Sequence, residues 1–106
     1  MQLPESADIT KMNVQKLQPL PAIYRGVEIE VLRADLIHPV ISGNKWFKLK
    51  YHLLTALAEK RQGLLTFGGA YSNHIHAVSY AARCLGWSSV IVVRGHAPKI
   101  LSPTLN

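Results

Sequence analysis

The stretch LLTFGGAYSNHIHAVSYAARCLG, residues 64 to 86, decides how this chain folds. Leu64 to Phe67 is a short apolar run that ends in Gly68-Gly69, the pattern of a buried strand entering a tight turn. Beyond the turn, Ile75, Val78, Ala81, Ala82 and Leu85 recur at helical spacing, with Ser72 or Asn73 as N-cap and Gly86 as terminator. Ser89 to Val93, SVIVV, then supplies a second continuous apolar strand. Strand, helix, strand in this order implies a parallel pair joined by a right-handed crossover and covered on both faces.

On the amino-terminal side, residues 44 to 61 (NKWFKLKYHLLTALAEKR) contain no Pro or Gly. They place Trp46, Leu49, Leu53 and Leu57, with Leu54 beside them, on one helical stripe, and Gly63 is the expected stop. Earlier still, VEIEVLRADL from Val27 to Leu36 alternates with period two, which predicts a strand presenting Val27, Ile29 and Val31 on one face, broken at His38-Pro39. Residues 1 to 22, with Pro4, Pro19 and Pro21 and no sustained period, read as an extended lead-in, so the ordered part is expected from about Ile23 to residue 106. After Val93 the chain runs RGHAPKILSPTLN. A sheet of two or three parallel strands leaves open edges and bare apolar faces, so the fold reads as incomplete and prone to associate with itself.

Composition narrows the classes. A chain of 106 residues has room for one domain. Its 48% hydrophobic and 17% charged residues exclude a disordered polyelectrolyte and require a core. The net charge of +6 invites a nucleic-acid partner, but Arg25, Arg33, Lys45, Lys60, Arg83 and Lys99 lie on every predicted element, with no basic arm and no aromatic-interleaved platform. No nucleic-acid or membrane partner is therefore expected. The start MQLPESADITK lacks a basic segment followed by an apolar run, and no stretch approaches the ~18 apolar residues of a membrane span, so a cytoplasmic location is expected. Cys84 has no partner for an internal disulfide and reads as a small buried hydrophobe.

Two segments carry chemistry. The turn Gly68 to His74 joins the carboxyl end of a strand to a helix start, where open α/β sheets bind ligands. Its glycines admit close backbone approach, its free N–H groups attract an anion, and Asn73 offers an amide donor. The plainer reading is that Ser72 and Asn73 cap and the glycines merely turn. Lys45 follows Ser42-Gly43-Asn44 and falls in the first helical turn, where the helix dipole favours the neutral amine, the form that acts as a nucleophile in Schiff-base chemistry. His74 and His76, two residues apart on a helix, project about 200° from each other and cannot readily grip one metal ion. No metal is expected, and neither a phosphate loop ending in G-K-[ST] nor a G-x-S-x-G elbow is present.

SGNKWFKLKYHL, residues 42 to 53, followed after a strand by TFGGAYSNHIHAVSYAARCLG, resembles the 1-aminocyclopropane-1-carboxylate deaminase and D-cysteine desulfhydrase family. The likeness spans about residues 17 to 95. It implies an incomplete three-layer parallel sheet of a fold type II, tryptophan synthase beta-like enzyme, with residues 23 to 106 forming part of a domain that binds pyridoxal 5'-phosphate. By position, Lys45 would bind the cofactor and move protons on the substrate carbon, and Asn73 would hydrogen-bond the pyridoxal ring hydroxyl. Ser72 would lie near the substrate, holding a carboxylate or assisting proton transfer. His74 would either contact the substrate or fill the first helical turn. Ser42, and Phe47 in place of the arginine of many relatives, depart from the family pattern and leave the amino-acid substrate open. The family's phosphate cup and the rest of its substrate pocket would fall beyond residue 106. The 106-residue chain would then be an inactive amino-terminal fragment, or a non-catalytic module of the same fold.

Overall fold

The computed structural model describes residues 8–17 and 26–106. In chain order the elements are β1 (Val14–Lys16), β2 (Glu30–Leu32), α1 (Asn44–Ala58), β3 (Gly63–Gly68), α2 (Asn73–Cys84) and β4 (Ser88–Val93), with 3-10 turns at Ile9–Lys11 and Ala34–Ile37. β3 and β4 pair in parallel from Gly63 opposite Ser88 to Gly68 opposite Val93, and α2 is their crossover. The α/β class and the strand-helix-strand unit are as expected.

α2 closes at Gly86, which adopts a φ of 67°. Gly86 N–H bonds to the Arg83 carbonyl at 3.1 Å and Trp87 N–H to the Ala82 carbonyl at 2.9 Å, so a left-handed residue satisfies two carbonyls that the helix leaves open. α1 does not run on to Gly63, which is the first residue of β3. It ends at Ala58, and Lys60, with φ 56°, takes the left-handed position. The bonding is the same: Lys60 N–H to Leu57 O at 3.0 Å and Arg61 N–H to Ala56 O at 2.8 Å.

The core forms where α1 crosses α2. Trp46, Leu49 and Leu53 meet Ala77, Val78, Ala81 and Ala82, closed by Ile37, Ile41, Leu85 and Trp87. Leu54 and Leu57, expected on the buried stripe, are exposed at 42% and 36%; the last turn of α1 packs Ala56 against the core instead. Cys84 is half-buried and free. α2 covers one face of the β3–β4 pair. On the other face Leu65, Phe67, Val90 and Val92 stand exposed, so the expected cover on both faces is absent among the described residues. The continuous apolar runs are real, but they are buried by alternation rather than throughout.

The strand expected over Val27 to Leu36 is reduced to β2, and it does not join the parallel pair. It pairs antiparallel with β1 in a separate sheet, Val14 opposite Leu32 and Lys16 opposite Glu30. Where the strand ends, Arg33 pairs with Asp35, Nε to Oδ1 at 2.8 Å and a terminal nitrogen to Oδ2 at 2.7 Å, at the start of the Ala34–Ile37 turn. β1 lies inside the segment read as an unpaired lead-in: residues 14 to 16 are extended but paired. The expected boundary at residues 22 and 23 falls outside the described residues. At the other end, the tail after β4 returns to the glycine turn. Buried Ser102 donates its hydroxyl to the Ala70 carbonyl, and Arg94 N–H bonds to Gly68 O at 2.8 Å. No helix among the described residues is long and apolar enough to cross a membrane.

Candidate functional site

The starts of α1 and α2 border one cleft of about 310 Å³. Asn44 and Lys45 line it from α1, Asn73 and His76 from α2, and Pro39, Val40, Ser42 and Gly43 from the loop before α1. The volume lies at the lower end of the ~300–1,000 Å³ typical of small-molecule sites.

On the α1 side, Gly43 holds φ 59° and ψ −140°. A Cβ there would touch nothing within 4 Å, so glycine is required by backbone conformation and not by space. Its N–H bonds to Ala34 O at 2.9 Å, closing the loop that delivers the next two residues. Lys45, second in the helix, is half-buried and donates from Nζ to Asn44 Oδ1 at 2.7 Å. No carboxylate pairs with its amine among the described residues.

On the α2 side, Ser72 is the N-cap, its Oγ accepting from His74 N–H at 3.2 Å. Asn73 is therefore the first helical residue, and its side chain is exposed toward the cleft that Lys45 also borders. Gly68 is needed for space: a Cβ would lie 2.5 Å from Ile75 Cγ2 and 3.2 Å from Ser72 Oγ, so β3 and the cap could not approach as they do. His74 turns toward the sheet and shares a 2.8 Å hydrogen bond between Nε2 and Thr66 Oγ1. Burial pushes its pKa below the ordinary histidine value, and the positive charges of Lys45 and Lys48 push the same way.

The structure thus brings Lys45 and Asn73 together. Ser72 and His74 do not line the cleft; they hold the turn and the helix start that present Asn73. Sequence reasoning missed His76 as a wall residue. The signal lies in its spacing, because a residue three beyond Asn73 lies on the same helix face.

An amine and an amide at two helix starts share one cleft beside the parallel strand-helix-strand unit of an α/β protein. Comparison with known proteins specifies the relatives. The chain is 41% identical over 81 residues to a putative 1-aminocyclopropane-1-carboxylate deaminase of Pyrococcus furiosus, covering 74% of this chain and 25% of that protein. A protein of the same name from Thermotoga maritima is 40% identical over 92 residues, 87% of this chain and 29% of the relative. D-cysteine desulfhydrase of Salmonella newport is 34% identical over 79 residues, 73% and 24%. The chain is a homologue of the 1-aminocyclopropane-1-carboxylate deaminase and D-cysteine desulfhydrase proteins, and it spans about a quarter of the length of the relatives it matches. No family model and no solved structure matches it.

Proposed function

We propose that the cleft is the lysine-bearing part of a pyridoxal 5'-phosphate site, belonging to a deaminase or desulfhydrase of small amino acids of the 1-aminocyclopropane-1-carboxylate or D-cysteine type. The observation that carries this reading is the convergence of Lys45 and Asn73 on one cleft, in a chain whose relatives bear those enzyme names. The residues present fit the cofactor: a primary amine can bond its aldehyde carbon, and an amide can hydrogen-bond its ring hydroxyl. When bound, the cofactor serves as an electron sink for the substrate's α-carbon.

The chain's own groups then have distinct tasks. Lys45 would hold the cofactor covalently through Nζ, and the same nitrogen, when free, would take and return a proton. Asn44 Oδ1, 2.7 Å from that nitrogen, restrains where the amine points. Asn73 orients the ring. Ser72, whose Oγ accepts from His74 N–H, caps the helix start that presents Asn73, and this capping role is the one its position outside the cleft lining favours over contact with a substrate carboxylate. His74 supports the turn through Thr66, and of the two roles open to it this is the one its bond favours. Among the described residues the cleft walls supply a single cationic side chain, Lys45, to set against the cofactor's phosphate, so the 106-residue chain is expected to bind the cofactor weakly and to release no ammonia or keto acid from these substrates.

The test is to incubate the chain with pyridoxal phosphate, reduce with borohydride and map the modified residue by mass spectrometry. Modification concentrated on Lys45 and lost in Lys45→Ala supports the reading. Equal labelling of all exposed lysines would sink it. A second reading, a self-associating module without catalysis, draws on the exposed Leu65, Phe67, Val90 and Val92 face. Sedimentation of the chain and of a Phe67→Lys variant tests it: a monomer in both rules it out.

A further inference from the structure

His38 is a buried imidazole that the proposed chemistry leaves unused; only 6% of it is exposed. Its Nδ1 accepts two backbone hydrogen bonds, from Val40 N–H at 2.9 Å and from Ile41 N–H at 2.8 Å. A ring nitrogen that receives N–H donors acts through its lone pair, so Nδ1 is the acceptor and the ring N–H is the one at Nε2. The ring also packs edge-on against Tyr80 of α2, centroids 5.5 Å apart and planes at 63°. Two donors and one aromatic contact therefore fix the imidazole from both sides.

What the imidazole fixes is the wall of the cleft. Pro39 and Val40 line the cleft opposite the residues of α1 and α2, and Ile41, the next residue, is fully buried in the core. The Val40 and Ile41 N–H groups sit in a loop with no strand or helix to pair them, and a buried N–H without an acceptor is costly. His38 supplies that acceptor to both. The bond between Gly43 N–H and Ala34 O pins the far end of the same loop, just before Lys45.

We propose that His38 is a positioning residue: through Nδ1 it holds Pro39 and Val40 where a molecule bound at Lys45 meets them. The inference rests on the reading of the cleft as a ligand site, but the bond it depends on can be tested without any ligand. Asparagine places Oδ1 where Nδ1 stands and commonly accepts from the N–H two residues on. Glutamine keeps comparable bulk but carries its oxygen one carbon farther out. The two variants therefore isolate one atom.

Two measurements decide the matter on the wild type, His38→Asn and His38→Gln. The first is hydrogen exchange of the Val40 and Ile41 amides by nuclear magnetic resonance without cofactor. The second is the concentration of pyridoxal phosphate needed for half-maximal borohydride-trapped labelling of Lys45. For His38→Gln, we expect exchange at both amides to quicken by about tenfold or more and the labelling concentration to rise by about tenfold. For His38→Asn both should stay within about threefold of wild type. Unchanged exchange in a folded His38→Gln variant overturns the proposal, as does quickened exchange with unaltered labelling, or failure of asparagine to restore either quantity. If the wild type itself acquires no label on Lys45, the cofactor reading fails by that result alone, and the exchange data still decide whether His38 holds the wall.

Discussion

Lys45 and Asn73, each in the first turn of its own helix, line the same cleft although β3 and the whole of α1 separate them in sequence. The arrangement depends on α1 and α2 packing through their buried faces, Trp46 and Leu49 against the alanines of α2, so that both helix starts open to one side. The site is thus a product of the core. The Lys45 amine and the Asn73 amide come from helix residues outside the core, while their placement comes from the buried residues of α1 and α2.

Lys45 leaves a mark on its neighbour. His74 has its pKa lowered by burial first and then by Lys45 and Lys48. Replacing Lys45 by Met should move the His74 titration midpoint upward, part of the way toward the ordinary 6.5, since burial remains. The His74 ring resonances followed against pH would show it, and an unmoved midpoint would mean that the Lys45 charge does not reach the ring. The sign for stability follows. A pKa lowered on folding means the unfolded chain binds the proton more readily, so the His74 contribution is complete above 6.5 and is lost as the pH falls through the lowered folded value. Denaturation midpoints of the wild type should accordingly decline over that window more than those of His74→Gln.

Asn73 can be separated from stability. Its side chain is exposed and Ser72, not Asn73, caps the helix, so Asn73→Ala should change unfolding free energy by less than about 0.5 kcal/mol. If its amide binds the ring hydroxyl, the loss of one hydrogen bond should weaken pyridoxal phosphate labelling of Lys45 by about fivefold to tenfold. Labelling at wild-type concentrations would remove Asn73 from the site.

Gly68 sets the distance between β3 and the start of α2. An alanine methyl would meet Ile75 Cγ2 at 2.5 Å, and that carbon sits on a β-branched, fully packed side chain that has little freedom to move. Gly68→Ala should cost about 1–3 kcal/mol in denaturant unfolding and should disturb the Ser72 cap, only 3.2 Å away. Gly69→Ala is the control, because nothing lies within 4 Å of its Cβ position.

Local patterns were legible where one residue decides them. Gly86 and the apolar runs around α2 give the strand-helix-strand unit directly. The pairing of β2 was not legible, because its partner is Val-Gln-Lys, three exposed residues with no periodic signature. The bare face of β3 and β4 was misread for a physical reason: an unbroken apolar run normally signals burial on both sides, and here alternate residues face solvent. Lys45 and Asn73 could be named from their motifs. Their convergence, and the addition of His76 and Val40 to the same cleft, depend on the angle at which two helices pack, which no local pattern contains.

The two helix ends provide an internal comparison. Gly86 and Lys60 occupy the same left-handed position and support the same pair of backbone bonds, but only glycine adopts that conformation without a Cβ penalty, about 1–2 kcal/mol for other residues. Lys60 is exposed, and its neighbours Glu59 and Arg61 pair with each other without it, so its side chain has little to lose. Lys60→Gly should therefore raise the unfolding free energy by about 0.5–1 kcal/mol, the gain in the native state being offset in part by the greater freedom of glycine in the unfolded chain. Gly86→Ala should lower it by about 1 kcal/mol or more. Paired urea melts with equal slopes would test both. A destabilised Lys60→Gly variant would show that the lysine stem contributes packing that outweighs its backbone strain.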